Sequence, residues 1–186
     1  MDWMNEPPDW AESAGVLSVV TGDRTDFWRR THYGFVRDDG HFRHAAAPAD
    51  FSATVEFRGD YEALYDQAGL MLRLDAASWI KTGIEHVAGR RMLSAVVTRD
   101  FSDWSTTPMP VDAPWVRLRL TRIGSAVHIH WAAEPEPERY RMMRLAWFPE
   151  GGAARVGPMC CSPERAGFRA AFRNFEIGPP ARPEEA

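Results

Sequence analysis

Gly69-Leu70-Met71-Leu72-Arg73-Leu74-Asp75 and, three residues on, Trp79-Ile80-Lys81-Thr82-Gly83-Ile84-Glu85-His86 decide the fold, together with Met92-Leu93-Ser94-Ala95-Val96-Val97-Thr98-Arg99. A strand sends successive side chains to opposite faces, so each run splits by parity. Leu70, Leu72, Leu74, Ile80, Ile84, Leu93, Ala95 and Val97 fall on one side and form a core face. Met71, Arg73, Trp79, Lys81, Glu85, Ser94 and Thr98 fall on the other. If the three strands are neighbours, one sheet surface carries this mixed aromatic and polar set.

The same short-period alternation recurs along the chain, over 16–21, 33–37, 41–46, 52–58, 115–122, 126–131, 140–146, 155–161 and 170–177. Turn chemistry separates the runs at Asp38-Asp39-Gly40, Gly59-Asp60, Arg122-Ile123-Gly124-Ser125 and Glu150-Gly151-Gly152. No stretch of about twelve residues keeps a 3.6-residue period, although 62–67 and 163–167 could each hold one helical turn. Many short strands joined by tight turns predict an all-β sandwich or jelly roll of two antiparallel sheets. Among the other aromatics, Phe35, Phe57, Phe172 and Phe175 are assigned to the core, while Trp28 is placed near the mixed face.

At 186 residues the chain suits one domain. We expect it to span 1–178, followed by a flexible tail at 179–186 that is rich in Pro and Glu. The composition, 45% hydrophobic and 26% charged, is that of a globular protein. A net charge of −4 provides no field to gather nucleic acid or an anionic membrane, so neither partner is expected. The N-terminus has no signal-like apolar segment, and Cys160 and Cys161 are adjacent, which disfavours a disulfide between them. Both are expected reduced, in a cytoplasmic protein.

A polar sheet face ordinarily faces water. Trp79 argues for more, because a large aromatic in the middle of such a face calls for something to cover it. A flat ring packs on the apolar side of a sugar while charged groups and hydroxyls meet its hydroxyls. The adjoining loops, Tyr65-Asp66-Gln67-Ala68-Gly69 and Ser102-Asp103-Trp104-Ser105, offer similar groups. The ligand-binding set read from the sequence is therefore Tyr65, Asp66, Gln67, Arg73, Trp79, Lys81, Glu85, Ser94, Thr98, Asp103 and Trp104. Asp66 and Asp103 are equally well explained as turn caps.

No catalytic set emerges. The closely spaced acids of retaining glycosidases have no counterpart, since Glu85 is the sole carboxylate on its strand face. His128 and His130 share a face but read as exposed polar positions rather than metal ligands, and His41 and His44 differ in parity. No phosphate loop, nucleophile elbow or dinucleotide fingerprint occurs, so neither metal nor cofactor is expected. The leading expectation is a non-catalytic module binding a carbohydrate or similar polyhydroxylated ligand. The alternatives are a glycan-acting enzyme using Glu85 and a protein-interaction module using the same face.

Several of these residues also carry a resemblance. Tyr65 to Met71, Trp79-Ile80-Lys81, Gly83-Ile84-Glu85, Leu93-Ser94, Val97-Thr98 and Ser102-Asp103-Trp104-Ser105 resemble a family of bacterial and fungal domains that includes the yeast regulation-of-enolase protein. Asn5-Glu6-Pro7, Thr25-Asp26-Phe27-Trp28, Val156-Gly157-Pro158 and Cys161-Ser162-Pro163 extend it over nearly the whole chain. The resemblance implies a concanavalin A-like lectin and glucanase fold, similar to accessory domains of some glycoside hydrolases. It implies no activity.

Overall fold

The computed structural model describes residues 1–151 and 153–182. Gly152, at the end of one expected turn, and residues 183–186 of the expected tail lie outside the described residues. Ala181 donates its backbone N–H to Ser52 Oγ at 2.9 Å.

Two seven-stranded sheets carry the fold, and every pairing between their strands is antiparallel. The first runs, in spatial order, β1 (Asp2–Met4), β6 (His41–Ala47), β15 (Ala154–Cys161), β8 (Gln67–Arg73), β9 (Ser78–Val87), β10 (Arg90–Arg99) and β11 (Phe101–Pro108). The second runs β14 (Glu136–Trp147), β13 (Ala126–Ala133), β12 (Val116–Ile123), β7 (Phe51–Gly59), β16 (Arg169–Gly178), β3 (Val16–Val20) and β2 (Asp9–Ser13). A separate hairpin joins β4 (Phe27–Arg29) to β5 (Val36–Asp38). Among the described residues there is no helix: 62–66 and 163–167 hold only turns, bends and irregular backbone, and Gln67 opens β8.

The three strands that opened the argument are direct neighbours, β8 pairing with β9 and β9 with β10. Leu70, Leu72, Ile80, Ile84, Leu93 and Val97 lie buried between the sheets against Val55, Phe57, Leu118, Leu120, Ile129 and Phe172. Leu74 and Phe175 pack at the border of this core. Leu72 is fully buried, so truncation to Ala should leave an unfilled cavity and cost about 2–5 kcal/mol. Urea unfolding of the variant would measure it as a lowered midpoint at unchanged slope.

The outer face of the first sheet bears a second, smaller core. Phe27, Trp28, Phe42, Met71, Trp79, Val96, Met159 and Cys161 pack together there, because the β4–β5 hairpin is laid over the sheet. Gly40 makes that close approach possible, since a Cβ at this position would collide with the Phe27 ring and Cys161 Sγ. Charged groups fasten the cover. Arg73 meets Asp38 in a fork of two 2.7 Å hydrogen bonds, Arg29 N donates to Ser102 Oγ at 2.9 Å, and the Arg29 guanidinium meets Asp100 at 2.9 Å.

Several expectations are corrected here. Trp79 is 0% exposed, because the hairpin brings Phe27 over it with ring centroids 6.2 Å apart. Phe35 is 43% exposed, because it sits beyond the Gly34 turn at the hairpin tip rather than in the core. His130 is buried rather than exposed, and burial, with Arg119 and His128 nearby, pushes its pKa down to about 4. Residues 102–105 form part of β11 rather than a loop. Asp100, at φ 63°, closes the tight turn that brings Phe101 opposite Arg99.

Cys160 and Cys161 are both free and buried. Burial raises each thiol well above its usual pKa. No helix among the described residues is long and apolar enough to cross a membrane.

Candidate functional site

Beside the second core the cover stops short, leaving a pocket of about 220 Å3 between the hairpin, the outer sheet face and two loops. Odd-numbered positions of β8 and β9 supply its floor, in Gln67, Lys81 and Glu85. Asp26 enters from the segment before β4, and Trp28, Tyr33 and Phe35 come from the hairpin. Tyr65, Trp104, Pro163 and Glu164 complete the lining.

The rings brace one another around this space. Trp28 meets Tyr33 at 70° with centroids 5.7 Å apart and Trp104 at 87° and 6.5 Å, while Tyr65 meets Trp104 at 79° and 6.1 Å. Trp28 Nε1 donates to Thr31 O at 2.9 Å, which fixes its indole. The Tyr33 and Tyr65 hydroxyls are 3.0 Å apart and join the hairpin tip to the loop before β8. That bond pushes the Tyr65 pKa up to about 12. Tyr65 holds φ at 66°, a conformation uncommon for a bulky residue and found where surrounding structure imposes it.

Lys81 Nζ donates to Asp26 Oδ1 at 2.8 Å, and Lys81 is 3% exposed. Burial, the largest influence, would lower its pKa, but the attraction and hydrogen bond of Asp26 together with Cys161 and Glu85 outweigh it and raise it. Lys81 is therefore a fixed ammonium rather than a neutral amine nucleophile. Asp26 Oδ1 also accepts the Phe27 N–H at 2.7 Å, so the floor charge and the hairpin's position are locked together.

Glu85 differs. It is 6% exposed, and its Oε2 accepts from Ser94 Oγ at 2.6 Å and from Trp104 Nε1 at 2.9 Å. Burial raises its pKa, against the opposing pull of Lys81 and these two donors. The acid form is favoured beyond the usual carboxylate range.

Of the residues expected from the sequence, Tyr65, Gln67, Lys81, Glu85 and Trp104 line the pocket together. The others serve elsewhere. Asp66 is buried and accepts from Arg165, from Ser162 Oγ and from the backbone N–H groups of Glu62 and Ala63. Burial would raise its pKa, but the Arg165 and Ser162 bonds bring it below the usual range, so Asp66 ties loops together. Arg73 holds Asp38 of the hairpin, and Trp79 lies under Phe27. Thr98 Oγ1 bonds Ser102 Oγ at 2.9 Å beneath β4. Ser94 stands behind Glu85. Asp103 has the opposite parity to Trp104 and points away, to Arg144 at 3.1 Å.

Asp26, Trp28, Tyr33, Phe35, Pro163 and Glu164 were not among the expected site residues, although Trp28 was placed near the mixed face. Asp26, Trp28, Pro163 and Glu164 come from segments without strand alternation, so parity gave no signal for them, whereas Tyr33 and Phe35 lie in the run 33–37, which reads as a strand with Phe35 in the core. Asp26 and Pro163 did lie in runs that carried the family resemblance.

Comparisons with known proteins place the chain. Residues 3–180 match the family described as "Protein of unknown function (DUF1349)". "Regulation of enolase protein 1" of Saccharomyces cerevisiae is 40% identical over 178 residues, 96% of this chain and 89% of that protein. A crystal structure of a functionally unknown protein from Saccharomyces cerevisiae superposes with a TM-score of 0.92 at 40% identity, over 97% of each chain. The GH43 BlXynB protein of Bacillus licheniformis gives 0.68 at 16% identity, over 94% of this chain and 35% of its own. Carbohydrate-binding module CBM66 of Bacillus subtilis gives 0.53 at 14% identity, over 95% and 94% of the two chains. These likenesses identify the fold as a concanavalin A-like jelly roll.

Proposed function

We propose that this chain, which belongs to the DUF1349 family, is a binding module whose aromatic-walled pocket takes a carbohydrate or a similar small polyhydroxylated ligand. The observation that carries this reading is the pairing of ring walls with a hydrogen-bonding floor in one recess. Rings suit the apolar face of a sugar, and Glu85, Gln67 and Asp26 suit its hydroxyls. The volume, about 220 Å3, is below the roughly 300–1,000 Å3 of pockets for drug-sized ligands, which favours one sugar ring over a long chain. The distant fold relatives include one named as a carbohydrate-binding module, which agrees with this reading.

Calorimetric titration with a panel of mono- and disaccharides tests it. A ligand from that panel should lose about tenfold in affinity, equal to about 1.4 kcal/mol, in Trp104→Ala, which removes one wall and a donor to Glu85. Absence of any saturable heat across the panel would sink the reading.

One observation favours a second reading, an enzyme acting on a glycan. A carboxyl whose pKa is raised by burial, as that of Glu85 is, suits a general acid. Its possible partner Asp26 is already bonded to Lys81 and to Phe27 N, which ranks this reading second. Reducing ends released from oligosaccharides by the native protein, and not by Glu85→Gln, would establish it.

A further inference from the structure

The lining of the pocket holds three carboxyls, Asp26, Glu85 and Glu164, against one ammonium, Lys81. Lys81 is already committed to Asp26. Glu85 directs both of its hydrogen bonds through Oε2, and among the described residues Oε1 has no hydrogen-bond partner. A side chain only 6% exposed therefore keeps one carboxyl oxygen without a partner beside the open space, free to accept once Glu85 is ionised. Above it Trp28, Tyr33, Tyr65 and Trp104 stand at 70° to 87° to their neighbours, like the sides of a box. Ring faces are electron-rich and attract a cation lying over them, most strongly where water is excluded.

We propose that the ligand carries a cationic amine and, resting on the polyhydroxylated-ligand reading above, that it is an amino sugar whose ammonium docks against Glu85 inside this box of rings. The ammonium supplies the donors that Glu85 Oε1 lacks and offsets the excess of carboxyl groups. The sugar ring lies against the aromatic walls. A neutral sugar meets the walls and offers the floor hydroxyls but leaves the excess of carboxyl groups without a counter-charge, and an anionic one would meet Glu85 and Glu164 with the wrong sign.

The charged and titratable groups around Glu85 are Lys81 on its own strand, Asp26 before β4, Tyr33 at the hairpin tip, Tyr65 before β8 and Glu164. Because burial raises the Glu85 pKa, the acid form persists further up the pH range, and over that range an arriving ammonium should drive off the proton. Binding should then strengthen as the pH rises through the acid range and level off once Glu85 is ionised in the free protein.

Calorimetric titration of the full chain with glucosamine, glucose, N-acetylglucosamine and choline tests the proposal. Glucosamine should bind at least about tenfold more tightly than glucose or N-acetylglucosamine. In the acid range, where free Glu85 carries its proton, its apparent heat should change with the ionisation enthalpy of the buffer, as proton release requires. In Glu85→Gln the ratio of glucosamine to glucose affinity should fall close to one, and in Glu164→Gln, at the pocket margin, it should fall in part. Equal affinity for glucose and glucosamine would overturn the amine and leave the sugar reading standing. Choline binding with no sugar bound would keep the amine and overturn the sugar reading. Silence with all four probes overturns both.

Discussion

Trp79→Ala is expected to destabilise the fold by about 3–5 kcal/mol, the cost of deleting a large buried aromatic. The indole is completely enclosed, with Phe27, Met71 and Val96 in the same cluster. Its loss removes the surface on which the β4–β5 hairpin rests, so the pocket walls at Trp28 and Tyr33 should loosen together with the core. Chemical denaturation is the measurement, and a midpoint unchanged from the native protein would mean that the hairpin does not cover Trp79 in solution.

Lys81→Met should have an effect of similar size for a different reason. It keeps most of the side-chain volume but leaves Asp26 largely buried beside an apolar neighbour, and breaking a buried pair from one side costs about 3–5 kcal/mol. The double variant, Lys81→Met with Asp26→Asn, should recover most of that loss, because the stranded charge is then gone. Unfolding free energies of the two single variants and the double variant form a cycle whose coupling term isolates the pair. Additive losses would show that Lys81 and Asp26 do not depend on each other.

Alternation was sufficient to read the faces of β8, β9 and β10. Ile80 and Ile84 point into the sandwich, while Trp79, Lys81 and Glu85 point the other way. Alternation does not reveal what lies above a face. The covering strands span only three residues each, and although 33–37 reads as a strand, nothing in that run shows that it folds back over the first sheet. The charges that fasten them come from distant positions, Asp38 lying 35 residues from Arg73 and Asp26 lying 55 from Lys81. A face with Trp79 at its centre therefore read as open when the chain's own hairpin closes most of it. Trp104, expected beside the mixed face, does line the pocket even though its strand was taken for a loop. As an edge strand, β11 buries little beyond Ser102, so its sequence lacks the apolar alternation that marks a strand.

The pocket draws its walls from segments near residues 26–35, 65–67, 81–85, 104 and 163–164, and no two of them are consecutive in the chain. Such a recess has no existence in a fragment and none in a partly folded chain, since bringing those segments together requires both neighbouring strands and the hairpin to be in place. Occupancy is thus a reporter on completion of folding. Any ligand that fits should raise the melting temperature with the logarithm of its concentration once it exceeds its dissociation constant, and a chain cut between β5 and β6 should bind only when its two pieces reassemble.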